Sequence, residues 1–327
     1  MSLLIGGICV AALAVALVWA GPALIRAAAP VLMGVPRTAV VVLLSLPLLS
    51  WAVVSALSFM AAWLLNGPDV LPTPIGDVCQ RCLMAANPFG SVQIDTLVPV
   101  VLFLLLPLAV SMGFLIRGGL LARRRRRENS EAARLLSQGA VDVDVAGRTV
   151  KAVSGHRNLA FSLPKKHGGV VLSDDLFSTL EADELTAVLE HEKAHVDQGH
   201  HAIMALVEVF VRPLRFIPLF AEVAASIPHY LEIAADDQAR KKAGTPALAS
   251  ALLKIGPQSG EGRHLSGSYA LNIAGPDRVR QLVAPAKMSP GLLPTAALSS
   301  ALTAFSVLFF SVIANYVGVL LTGCTLP

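Results

Sequence analysis

This sequence has few charged residues for its length. Only 15% of its 327 residues are Asp, Glu, Lys or Arg, while 54% are hydrophobic and the mean hydropathy is +0.65. Soluble domains usually carry about 25% charged residues, so the composition excludes an ordinary soluble protein. Four stretches contain no Asp, Glu, Lys, Arg or His at all: residues 2–24, 38–65, 97–116 and 291–321. Each reaches the roughly 20 apolar residues that a helix needs to cross a bilayer. The sequence therefore predicts an α-helical multi-pass membrane protein with four spans.

The N-terminus also lacks a basic segment ahead of its apolar run. That run is longer than the hydrophobic region of a usual secretory signal peptide, so we interpret it as a retained span.

Basic residues are concentrated in one place, at Arg123 to Arg127, directly after the third apolar run. In a soluble protein such a run would suggest nucleic acid. Beside a span it is typical of a cytoplasmic anchor at the lipid headgroups, so we expect a bilayer contact and no direct nucleic-acid partner. This orientation places the loop 66–96 and the tail 322–327 outside a cell membrane.

The only polar stretch long enough to form a domain lies between spans 3 and 4. We predict three transmembrane helices in residues 1–121, a cytoplasmic domain in residues 122–290 and a fourth helix in residues 291–321. Short strand candidates at 141–145, 149–153, 159–163 and 170–172 are followed by a helical pattern from Ala182, which favours a small α+β domain. Residues 202–227 are apolar but contain four ionisable groups. They are predicted to form an amphipathic helical hairpin on the membrane or on the floor of a cleft against it.

A helix in this domain carries the chemistry. Residues His191 and His195 stand at positions i and i+4 of an H-E-x-x-H motif, so both imidazoles can reach one Zn²⁺ ion. Glu192, rotated by about 100° around the helix, can hold a carboxylate beside the metal and act as general base and then acid. Alone, the motif carries moderate weight, since a surface helix with two unrelated histidines would show it too.

A third ligand strengthens the prediction. A catalytic zinc takes three protein ligands and leaves one position open. Further along the chain, Glu232 and Asp236 are again i and i+4 on a predicted helix. Glu232 can ligate the metal, and Asp236 can accept a hydrogen bond from the outer nitrogen of a ligating histidine. The alternative for this pair is a solvated acidic face.

The combination of H-E-x-x-H with Glu232-x-x-x-Asp236 resembles the gluzincin membrane peptidases. Two branches are close, the HtpX and CAAX prenyl protease type and the BlaR/MecR type, which transduces β-lactam signals. Residues 159–163 and 169–173 resemble the family's strand pair, residues 183–192 its helix entry and residues 243–254 its following helix. The resemblance implies a zincin-like domain with one Zn²⁺ ion per chain, a protein or peptide substrate and a site that faces the cytoplasm.

The sequence also departs from the family's pattern. Asp237 stands where relatives commonly carry a basic residue, and a His-Pro pair of the HtpX type is Gly275-Pro276 here. Which residue polarises the substrate carbonyl is therefore open among His229, Arg240 and Arg278.

Histidines and cysteines outside this pattern have plainer interpretations. His200 and His201 are predicted to be solvated residues at a helix end, with a second metal site as the alternative. Cys79 and Cys82 form a C-x-x-C in the outward loop, and no second such pair supports a zinc ribbon. We predict a disulfide between Cys79 and Cys82, or between one of them and Cys324.

Three functions compete at this point. The first is a zinc endopeptidase that cleaves membrane or membrane-proximal cytoplasmic proteins in quality control or regulated proteolysis. The second is a BlaR/MecR-like transducer that cleaves a cytoplasmic repressor. That type ends in an extracellular sensor, whereas this chain stops six residues past Leu321. A signal would then have to enter through the loop 66–96 or a partner. The third is a catalytically inactive membrane scaffold, against which the intact motif argues.

Overall fold

Three long apolar helices dominate the N-terminal part of the computed structural model, which describes residues 2–66, 100–145, 147–154, 159–165, 169–255, 269–270 and 291–322. These helices are α1 (Ser2–Leu32), α2 (Pro36–Asn66) and α3 (Val100–Gly139). Helices satisfy every backbone hydrogen bond internally, as a lipid environment requires. Within the described residues, three stretches are long and apolar enough to cross a membrane: Val15–Leu32, Pro36–Ser55 and Leu105–Glu131. The described part of the chain thus has three helices that could span a membrane.

The fourth predicted span coincides with α9 (Leu292–Thr322), a helix of 31 residues. Its stretch Leu292–Ala304 is apolar but short by the same criterion, so a fourth crossing stays a prediction. The predicted loop 66–96 from residue 67 onward, with Cys79 and Cys82, lies outside the described residues, as does Cys324. The disulfide likewise stays a prediction.

Helix α3 runs without a break from the third predicted span through Arg123 to Arg127 and on to Gly139. Its 40 residues correspond to about 60 Å, twice the thickness of the hydrocarbon core. A substantial part of α3 must therefore project beyond any bilayer. The predicted boundary between residues 121 and 122 falls inside this one rigid element.

The sheet consists of the four predicted strands and one more. They are β1 (Ala140–Asp144), β2 (Thr149–Val153), β3 (Ala160–Ser162), β4 (Val170–Ser173) and β5 (Tyr269–Ala270). Their spatial order is β1-β2-β4-β3-β5, with β2 and β4 parallel and the other neighbours antiparallel. Strand β3, which is fully buried, is paired on both sides. Among the described residues, β1 and β5 form the two edges.

A series of helices follows strand β4 along the chain. They are α4 (Leu176–Thr179), α5 (Ala182–Asp197), α6 (His200–Leu206), α7 (Pro218–Ala243) and α8 (Thr245–Ile255). The start of α5 is held by Glu184, whose carboxylate accepts hydrogen bonds from the Glu181 backbone N–H at 2.8 Å, Ser250 Oγ at 2.6 Å and Lys254 Nζ at 2.7 Å. Because Ser250 and Lys254 belong to α8, Glu184 joins the first turn of α5 to that helix.

Residues 202–227, for which a helical hairpin is predicted, are largely helical. Helix α6 continues through a π-helical turn (Val207–Val211) and a 3-10 turn (Arg212–Leu214), and α7 begins at Pro218. The acidic residues of this segment form ion pairs, Glu208 with Arg212 at 2.5 Å and Glu222 with Arg26 of α1. The segment packs against α1 and α2, and its apolar residues share one buried cluster with theirs. Ion pairing explains how an apolar segment accommodates these charges.

Candidate metal centre

Two packed helices supply all five predicted residues of the site. Helix α5 carries His191, Glu192 and His195, and α7 carries Glu232 and Asp236. All five are buried, and His191 is 0% exposed. Burying polar side chains is unfavourable unless they are paired with one another or with a metal ion. Three of the five, His191, His195 and Glu232, are grouped so that they could hold a metal ion.

The spacing of the ligand atoms fits a zinc ion. His191 Nε2 and His195 Nε2 are 3.2 Å apart, and each lies 3.5 Å from an oxygen of Glu232. A tetrahedral zinc with bonds of about 2.05 Å holds neighbouring ligand atoms about 3.3 Å from each other. The two imidazoles and one carboxylate are also a known catalytic donor set for zinc. The residues present therefore fit the metal that the sequence predicts.

Asp236 lies beside the first histidine. Its Oδ1 is 2.9 Å from His191 Nδ1, a position that favours, in the neutral ring, the tautomer with its hydrogen on Nδ1 and its lone pair on Nε2. Burial by itself would lower the pKa of His191, but the carboxylates of Asp236 and Glu232 outweigh burial and raise it to about 9. A metal ion that binds here must displace this proton.

The second histidine has a partner that the sequence interpretation missed. His200 Nδ1 lies 2.9 Å from His195 Nδ1, and the two rings meet edge to face with centroids 4.8 Å apart. The prediction of a solvated helix-end residue is wrong, because His200 is only 1% exposed and begins α6 instead of ending α5. Gly199, at φ 67°, makes the turn that brings it there. Burial, followed by nearby positive charge, lowers the pKa of His200 to about 3, so its ring is neutral.

A comparison with protein families points the same way as the geometry. Residues 122–245 match the model of Peptidase family M48. The chain is thus similar to the membrane-type zinc metallopeptidases of this family, and the resemblance drawn from the motif is confirmed. The match runs from α3 to the first residue of α8 and includes all five residues of the site. No curated protein and no solved structure matches the chain.

Within this M48-like unit, Glu192 stands next to the first ligand on α5 and is 1% exposed. Its neighbour Glu190 pairs with Arg148 at the turn between β1 and β2, which ties the motif helix to the sheet. Lys193, which follows Glu192 in the motif, points outward and pairs with Asp197 at 3.0 Å. Helix α5 thus separates its buried ligand face from a solvated one.

The structure places two of the three candidates for carbonyl polarisation. Arg240 lies on the exposed surface of α7, one turn beyond Asp236, with Nη2 2.5 Å from Asp237 Oδ1. His229 is half-buried and stands three residues before Glu232, with its ring against Tyr230. Arg278 lies outside the described residues. The assignment among these three stays a prediction.

Proposed function

We propose that this chain is a membrane-bound zinc endopeptidase that cleaves membrane or membrane-proximal cytoplasmic proteins with one Zn²⁺ ion per chain. The observation that carries the proposal is the buried cluster of His191, His195 and Glu232, which offers one ligand atom per residue within 4.8 Å of the others and has both histidine Nε2 atoms 3.5 Å from the Glu232 carboxylate. Its position inside a segment that matches Peptidase family M48 supports peptide hydrolysis as the reaction. The three apolar helices support action at a membrane.

Each residue then has a distinct task. Bound zinc would polarise the scissile carbonyl and lower the pKa of the attacking water. Glu192 takes a proton from that water as the carbon–oxygen bond forms, and then passes the proton to the leaving amine as the peptide bond breaks. Asp236 keeps His191 in the ligating tautomer. Burial of the whole set limits competition from bulk water and strengthens its electrostatic interactions.

The decisive experiment separates chemistry from metal binding. Glu192→Gln preserves the shape of the side chain and all three ligands, so we expect one zinc per chain by elemental analysis. Proteolysis should fall by at least about 100-fold, the usual contribution of a general base. Lys193→Gln is the matched control inside the same motif, since Lys193 points away from the cluster. A Glu192→Gln protein that degrades its substrates at the normal rate would refute the assignment.

The same chemistry could serve a repressor-cleaving signal transducer, to which the H-E-x-x-H and Glu232-x-x-x-Asp236 pattern is also similar. Substrate identity distinguishes the two roles. Membrane and cytosolic proteomes of cells with wild-type protein and with Glu192→Gln should differ in the proteins that accumulate. Accumulation of membrane proteins supports quality control, whereas accumulation of a single DNA-binding protein supports the transducer.

The proposed site faces the cytoplasm, because five arginines follow the third span on α3. An impermeant maleimide tests this orientation with Glu131→Cys, an exposed α3 position beyond the arginines, in a background with Cys79→Ser, Cys82→Ser and Cys324→Ser. The thiol should react only after the cells are permeabilised. The wild-type loop cysteines, once reduced, should react from outside and serve as the control. Labelling of Glu131→Cys in intact cells would reverse the topology.

A further inference from the structure

We propose that His200 is a positioning residue that fixes the tautomer of the metal ligand His195, and that Arg37 of α2 holds His200 in place through Gln198. The inference rests on the proposed metal site and extends it. It gives His195 a partner of the kind that Asp236 provides for His191, and it connects a zinc ligand to the start of a predicted transmembrane helix.

The contact itself is short and buried. Two ring nitrogens, His195 Nδ1 and His200 Nδ1, lie 2.9 Å apart. At this distance one nitrogen donates its hydrogen and the other accepts it. If His195 donates, its Nε2 is left with a lone pair for the metal. If His195 accepts, its hydrogen lies on Nε2 and blocks ligation.

Gln198 decides between these two arrangements. Its side-chain amide nitrogen donates to Gln238 Oε1 at 2.9 Å, and its Oε1 faces Arg37 Nε at 3.2 Å. A guanidinium can only donate, so the atom that faces Arg37 must be the oxygen whichever way the amide is drawn. The same Oε1 lies 3.3 Å from His200 Nε2, which must therefore carry a hydrogen.

The proton positions then follow along the chain of contacts. His200 is 1% exposed and contacts a histidine ring and a glutamine oxygen, so its burial favours the neutral ring. With its hydrogen on Nε2, this ring has a bare Nδ1, which accepts the hydrogen of His195 Nδ1. His195 Nε2 thereby carries no hydrogen and directs its lone pair into the cluster, 3.5 Å from Glu232 Oε1 and 3.2 Å from His191 Nε2. Both nitrogens of His200 are engaged, so this residue has no lone pair for a second metal ion. The geometry thus argues against that alternative interpretation of the histidine pair.

This chain of hydrogen bonds begins in α2, far from the metal ligands in sequence. Arg37 belongs to the first turn of α2, whereas Gln198 caps the end of α5 and Gln238 lies on α7. A shift of α2 against α5 would withdraw a donor from Gln198 Oε1 and loosen the orientation of His200. The metal affinity of the site should therefore depend on a residue that is remote from the ligands in sequence.

The test measures zinc affinity of the purified full-length protein in detergent by competition with a chromophoric chelator. His200→Leu fills similar space without an acceptor, and we expect zinc affinity to fall about 10- to 100-fold, the usual effect of losing such a partner. His200→Asn presents an amide oxygen near the former place of Nδ1 and should recover most of the affinity. This rescue separates a positioning role from simple packing. Equal affinities for His200→Leu and wild type would overturn the proposal.

Arg37→Met provides a second variant that does not disturb the buried ring. It should weaken zinc binding several-fold, and its effect should largely vanish in a His200→Leu background, because Arg37 acts through His200. Full additivity of the two substitutions would contradict the proposed chain of contacts. His191→Ala, which removes one of the proposed ligands, is the reference for a chain without a working metal site. If wild type binds no more zinc than His191→Ala, the proposed function fails, whereas normal wild-type binding with an unaffected His200→Leu refutes only this inference.

Discussion

At the scale of single residues, the charge of Asp236 governs how the metal competes with protons. The pKa of His191 is raised to about 9 by carboxylates that outweigh burial, so the metal-free site is protonated at neutral pH. Apparent zinc affinity should therefore rise with pH up to about 9 and then level off. In Asp236→Asn the zinc affinity should reach its plateau closer to neutral pH. The affinity at the plateau should be about 10- to 100-fold lower than in the wild type. Chelator competition between pH 6 and 10 measures both quantities.

Asp237→Asn is the matched control for this prediction. Asp237 is adjacent in sequence but half-buried on another face of α7, where it pairs with Arg240 and Lys241. Its substitution should leave both the plateau and its starting pH unchanged. A profile for Asp236→Asn that superimposes on that of Asp237→Asn would contradict the role of Asp236.

That the five candidate residues lie on two helices could be predicted from the sequence, because each pair stands at i and i+4 or i and i+1 within one helical pattern. His200 could not, since helical spacing rules assume a continuous helix. Here α5 ends at Asp197 and Gly199 turns the chain with φ 67°, which returns His200 to the ring of His195. A glycine between two histidine clusters was the available signal. Arg37 gave no signal, because only tertiary packing brings it to Gln198.

At the scale of elements, Glu184 secures the helix that carries the motif. Hydrogen bonds from Lys254, Ser250 and the Glu181 N–H lower the pKa of its carboxyl from 4.5 to about 2. Because its pKa is lower in the folded state, the ionised Glu184 carboxylate stabilises the fold fully above about pH 4.5. This stabilisation is lost as the pH falls toward 2 and the carboxylate becomes protonated. Glu184→Gln should lower the free energy of unfolding by about 2 kcal/mol at pH 7, the value of hydrogen bonds to a charged group. Its effect should shrink at pH 3.

Thermal unfolding in detergent at pH 7 and pH 3 checks this expectation. Glu181→Gln is the control, since Glu181 is exposed and lies 3.8 Å from the same Lys254. It should change the melting temperature little at either pH. A Glu184→Gln variant as stable as Glu181→Gln at pH 7 would show that the contacts to α8 do not hold α5.

The close contact between α1 and α7 depends on a glycine, Gly21, which has no side chain. A Cβ atom at Gly21 would come within 2.7 Å of Leu219 Cδ1, and Leu219 is fully buried. Gly21→Val should therefore separate the two helices and cost about 1–3 kcal/mol, as overpacking usually does. Gly119→Val on α3 is the control, because nothing lies within 4 Å of a Cβ there. Equal melting temperatures of the two variants would mean that this contact does not stabilise the protein.

Elements were predictable to different degrees for physical reasons. Strands β1 to β4 follow the alternation of branched apolar residues and turn glycines. The structure confirms all four strands, and each observed end lies within one residue of the predicted end. Strand β5 escaped prediction, since its two residues are a strand only through pairing with β3. The continuity of α3 was equally hard to foresee, because a change from apolar to basic composition marks a membrane surface without marking a helix end.

At the scale of the whole molecule, the catalytic unit and the membrane helices share a core. One buried cluster contains Ile25 of α1, Leu43 and Leu46 of α2, and Leu219 and Leu231 of α7, which also carries Glu232. Where these helices lie in lipid, the close packing of such side chains, and not their removal from water, stabilises the contact. The helix that provides the third ligand is therefore stabilised by the part of the chain that we assign to the membrane.

A fragment of residues 122–290 tests this dependence. Without α1 and α2 the apolar face of α7 would be exposed and Gln198 would lose Arg37, so we expect the fragment to aggregate or to bind zinc far more weakly than the full chain. Coexpression with residues 1–121 should restore a soluble complex in detergent with one zinc per pair, because the two halves bury the same cluster against each other. The matched control is coexpression with residues 1–121 carrying Leu43→Asp and Leu46→Asp, which should not restore binding. A fragment that alone is monodisperse and binds zinc with the affinity of the full chain would show that the metal centre is built without the membrane helices.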